Sequence, residues 1–97
     1  MDEKQFERTL MSVGQTCFVN FYEYFSSSMA NEDVIEVLRS QTDYTENSCR
    51  SRTGHARRII REGFAVQAFK VIIASESARV TDETRAKARQ FLNAPRT

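Results

Sequence analysis

Phe6, Leu10, Val13, Cys17, Phe21 and Phe25 recur at steps of three and four along the first quarter of the chain. That period predicts one long amphipathic helix over about residues 2–25. Its second half, "CFVNFYEYF", adds Phe18, Val19, Tyr22 and Tyr24, so the apolar surface is wider than one stripe. Either this helix is central to a core, or Phe18, Tyr22 and Phe25 face a second copy of the chain in a homodimer.

"SSSMAN" at 26–31 interrupts the pattern, and Asn31 offers an N-cap before Glu32 and Asp33, whose charges suit the first turn of a helix. A short second helix is expected over about 32–40, burying Val34, Ile35, Val37 and Leu38. After the turn "QTDY", Thr45 is the N-cap of a third helix and Gly63 its left-handed C′ residue. "FAVQAFKVIIAS" at 64–75 reads as a fourth helix; its run Val71, Ile72, Ile73 would also suit a strand, but nothing nearby would pair with it. Val80 and Thr81 open a fifth helix over about 82–93, with Thr84, Ala88, Phe91 and Leu92 inward and Arg85, Lys87 and Arg89 in water. Residues 94–97 form a tail. The fold class expected is all-α: a single compact bundle of about five helices spanning 1–97.

Composition agrees with this pattern. Ninety-seven residues suffice for one small domain, and three Gly with one Pro supply too few turn residues for a sandwich or barrel. No run reaches the length of a membrane span, and "MDEKQFERTL" is too charged for a signal peptide, so a cytoplasmic protein is expected. Cys17 and Cys49 are distant, form no C-x-x-C pair and read as small core residues.

Charge adds something the apolar pattern lacks. Residues 1–36 hold seven acids and two bases; residues 37–97 hold twelve bases and six acids. The segment "TENSCRSRTGHARRIIREG" alone carries five arginines and the only histidine. At about 100° per residue, Cys49, Thr53, Ala56 and Ile60 form its core side, broadened by Ile59, while Arg50, Arg57 and Arg61 line the other. Asn47, Ser51, Gly54 and Arg58 lie beside that line, with Arg52 and His55 at its margins. A merely solvated helix would mix signs at i, i+4; here Arg57 and Arg61 are a like-charged pair. Glu46 can reach Arg50 and Glu62 can reach Arg58, and the helix offers no other acid at that spacing.

Helix 32–40, turn and basic helix together resemble the helix-turn-helix of DNA-binding domains over about residues 32–62. The resemblance implies a DNA-binding transcriptional regulator whose third helix reads the groove, with Asn47, Arg50, Ser51, Arg57, Arg58 and Arg61 as nucleic-acid-binding residues and Arg39 near the backbone. The same face would also suit an acidic protein surface, as in a small inhibitor or adaptor. Arg50 and His55 have an R-x-x-x-x-H spacing similar to that of HEPN ribonucleases, although residues five apart on a helix diverge by about 140°. No catalytic triad, glycine-rich phosphate loop, four-ligand metal set or cofactor motif can be assembled, so no catalytic residue, metal or cofactor is expected.

Overall fold

The computed structural model describes residues 1–94, and the tail expected at 94–97 lies outside the described residues beyond Ala94. The described residues are helical and contain no strand, and the seven helices share one apolar core. They are α1 (Glu3–Val13), α2 (Gln15–Asn20), α3 (Tyr22–Phe25), α4 (Asn31–Gln41), α5 (Glu46–Arg61), α6 (Ala65–Ala74) and α7 (Asp82–Asn93).

The long first helix is the main departure from expectation: it is three helices. Asp2 starts α1 with a capping box shared with Gln5, which satisfies two otherwise orphaned backbone donors. Gly14, at φ 89°, ends it, a conformation that costs a residue with a Cβ far more than it costs glycine. The chain breaks again at Phe21, yet Phe6, Leu10, Val13, Cys17, Phe21 and Phe25 are all buried. Phe18 and Phe25 are core residues, and Tyr22 is half-buried against Phe18, Phe69 and Phe91. The homodimer surface expected from these three rings is therefore spent on the chain's own packing.

Other boundaries follow their local signals. Thr45 Oγ1 accepts from Ser48 N at 3.1 Å and Thr81 Oγ1 from Thr84 N at 3.1 Å. Gly63, at φ 83°, closes α5: its N–H donates to Ile60 O while Phe64 N–H donates to Ile59 O. That pair of bonds is a Schellman cap, and it delivers Phe64 onto Phe6, ring centroids 5.3 Å apart. α4 differs: Ala30, not Asn31, is its N-cap, and Asn31 spends its side chain on Arg57. The apolar run around Val71–Ile73 is helical, part of α6. Arg85, expected in water, is largely covered and donates twice to Ser75 O at the end of α6. Ile59 rather than Ile60 is the fully buried isoleucine of α5.

Candidate functional site

α5 is the longest helix and packs between α1 and α4, with α3 against its side. α1 runs antiparallel to it, since Arg52 reaches Val13 while Glu62 reaches the amino end of α1. Burial of Cys49, Thr53, Ala56 and Ile59 turns the opposite side outward, so Asn47, Arg50, Ser51, Gly54 and Arg61 are exposed and Arg58 half-exposed.

The six residues expected to contact a polyanion do not form one free basic face. Arg57 is half-buried: Nε donates to Phe25 O, Nη2 to Tyr24 O and Ser27 O, and Nη1 to Asn31 Oδ1 at 2.6 Å. It caps the end of α3, supplying donors to Phe25 O and Ser27 O and a further one to Tyr24 O, which already accepts from Ser27 N and Oγ. Arg50 is held by Glu32 of α4 in a two-pronged pair at 2.6 and 3.0 Å. Those hydrogen bonds hold the Glu32 carboxyl below its ordinary range and the Arg50 guanidinium further toward its charged form. Arg58 bonds Glu62 at 2.8 Å, which likewise lowers the Glu62 carboxyl. Among the described residues, Arg61 makes no ion pair, and Asn47 and Ser51 make no side-chain hydrogen bond. Arg39 stands between Glu36 and Glu46, at 3.4 and 3.5 Å.

α4 thus supplies an acid to Arg50, whereas Arg57 is met by backbone carbonyls and Asn31. Around the first half of α5, Glu36 and Glu46 meet Arg39 and Glu32 meets Arg50, all of them exposed. At its other end Arg58 and Arg61 outnumber Glu62. On the neighbouring α1, whose amino end meets Glu62, Asp2, Glu3, Lys4, Glu7 and Arg8 are exposed, and Glu3 and Glu7 line a cleft against α6. The connection between α4 and α5 is four residues, 42–45, because α4 runs on to Gln41. That length matches the three- to four-residue turn of helix-turn-helix motifs.

Arg50 and His55 lie on one unbroken helix, with Arg50 turned to α4 and His55 about 140° away. They share no site within one chain. Cys17 and Cys49 are both buried and free. Among the described residues no group of three or more metal-ligating side chains is found, and no helix is long and apolar enough to cross a membrane.

Sequence spacing missed a second arginine with a fixed place. Arg52 Nη1 donates to Val13 O at 2.6 Å across the α1–α2 break, Nε donates to Ser48 Oγ, and the guanidinium lies 3.8 Å over the Tyr44 ring. Burial pushes both the Tyr44 hydroxyl and the nearby Cys17 thiol up from their ordinary values. No sequence signal marked Arg52: a Cβ at Gly14 would stand 2.9 Å from Arg52 Nη1, a proximity that only the fold creates. Compared with known proteins, the chain matches no protein-family model, no curated protein and no solved structure.

Proposed function

We propose that the chain is a protein-interaction module, and that the outer face of α5 docks a second copy of the chain laid antiparallel across it. The observation that carries this reading is the reversal of charge along that face. Along α5 and the α4 side chains that meet it, Glu32, Glu36 and Glu46 stand with Arg39 and Arg50 toward the N-terminal half, and Arg58 and Arg61 stand with Glu62 at the C-terminal end. DNA phosphates would meet Glu32, Glu36 and Glu46 beside Arg39 and Arg50 where a helix-turn-helix enters the groove. An antiparallel copy would instead set each acidic end against the other's basic end.

Gly54 is the natural centre of such a crossing. Asn47 and Arg61 lie seven residues to either side, about 10 Å along the axis, so Arg61 of one copy falls beside Glu46 and Asn47 of the other. Arg58 of one copy then falls opposite Arg50 of the other, where Glu32 already supplies the opposing charge. A Cβ at Gly54 would meet nothing within 4 Å, so the chain's own packing does not require glycine there, whereas a closely approaching helix benefits from it.

Sedimentation velocity across a range of protein concentrations tests the reading. A dimer is expected at low salt, loosening as salt screens the paired ends. An Arg61→Glu variant, which removes no ion pair or side-chain hydrogen bond among the described residues, should sediment as monomer. A wild-type monomer at every concentration would overturn the proposal, and salt-sensitive binding of that monomer to duplex DNA would return the face to nucleic acid.

A further inference from the structure

An open groove of about 510 Å³ lies beside the α1–α2 break, away from the outer face of α5. Arg52, from α5, and Arg79, from the segment before α7, line it, and no carboxylate does. Both residues are anchored at the break. Arg52 Nη1 donates to Val13 O at 2.6 Å and Nε to Ser48 Oγ, which leaves Nη2 with no hydrogen-bond acceptor among the described residues. The backbone of Arg79 is held by Thr16, whose hydroxyl donates to Arg79 O at 3.1 Å. Its side chain is exposed and makes no ion pair among the described residues. Burial raises the Cys17 thiol and the Tyr44 hydroxyl, so both stay neutral and the charge of the wall is that of the two arginines.

The same wall carries apolar surface. Met11 is 79% exposed, more than any other large apolar side chain among the described residues, and Val80 and Tyr44 line the groove with it. A methionine side chain is flexible and polarisable enough to follow the shape of what packs on it. Exposed acids flank the groove without lining it: Asp43 precedes Tyr44, and Glu76 lies in the segment that holds Arg79. The positive wall is therefore short. A long polyanion would run on past it toward those carboxylates and would leave Met11 unused, whereas a peptide can set acids and an apolar side chain next to one another.

We propose that this groove docks a short acidic segment of a partner protein, with carboxylates accepting from Arg79 and from Arg52 Nη2 and an apolar side chain packed on Met11. The surface lies apart from the one that pairs α5 with a second copy, and the two do not depend on each other.

The test is an amide NMR titration of the full chain with three synthetic peptides, DEDFDED, DEDADED and KRKFKRK, and with a duplex DNA oligonucleotide, all at matched ionic strength. The first peptide should shift the amides of Gly14, Thr16 and Arg79 in a saturable way. Removing its aromatic ring should weaken binding about tenfold, and the basic peptide should leave these amides unmoved.

Arg79→Glu should weaken the acidic peptide at least about tenfold, and Met11→Ala should weaken it several-fold. Both side chains are exposed, so neither change disturbs the core. Arg61→Glu should bind the peptide as wild type does, which separates this groove from the α5 face. No saturable shift at these amides, equal affinity for DEDADED, full affinity in Arg79→Glu, loss of binding in Arg61→Glu, or tighter binding of the duplex at the same amides would each overturn the proposal.

Discussion

Arg57 and Arg61 are one residue type, four positions apart on one helix, and they meet opposite surroundings. Arg57 ties three backbone carbonyls and the Asn31 side chain to α5, and a part-buried carbonyl left without its charged donor, as Phe25 O would be, costs stability. Arg57→Ala is expected to lower the urea-unfolding free energy by about 2–3 kcal/mol, and Arg61→Ala to change it by less than about 0.5 kcal/mol. Helical spacing alone could not separate the two, since the carbonyls at 24–27 are some thirty residues away in sequence. Cys17 was legible as a core residue from its place in the apolar steps. Its thiol titrates higher in the fold than in the unfolded chain because burial disfavours the thiolate. Stability is therefore full below the unfolded value, about 8.5, and declines as pH rises from there through the folded value. Urea midpoints measured from neutral to alkaline pH should fall, and Cys17→Ala should fall less steeply.

Helix ends were readable at three local signals and not at a fourth, Asn31, whose side chain goes to Arg57 while Ala30 takes the N-cap place. Thr45, Thr81 and Gly63 cap as their residue types and positions suggest. The break at Gly14 was not readable, because Leu10 and Cys17 keep the apolar phase across two turns whether or not the helix between them is continuous. The core residues of that segment are accordingly right and its element count wrong. The two glycines of the helical segments should respond in opposite ways. Gly14→Ala places a Cβ at φ 89° and against Arg52 Nη1, and thermal unfolding should show a loss of about 1–3 kcal/mol. Gly54→Ala fills open space on an exposed helix, and the same measurement should show a gain of about 1 kcal/mol. If α5 pairs with a second copy there, the stabler protein is also the weaker dimer.

At the scale of the whole molecule, the expectation that failed is electrostatic. Along the chain the acids concentrate before residue 37 and the bases after it, which suggested a separate basic surface. Folding lays α4 along α5, so Glu32 meets Arg50 and Glu46 meets Arg39. No window of sequence reports which acid lies across from which base, and this pairing is what favours a protein partner over DNA. Asn47, exposed and without side-chain hydrogen bonds among the described residues, is where the two partners make opposite demands. The decisive measurement is the dimer dissociation constant of Asn47→Glu against wild type by sedimentation equilibrium, with duplex DNA titrated in parallel. An added carboxylate opposite the second copy's Arg61 should tighten the dimer several-fold and leave duplex unbound. A weaker dimer, or wild-type duplex binding that Asn47→Glu abolishes, would contradict the account.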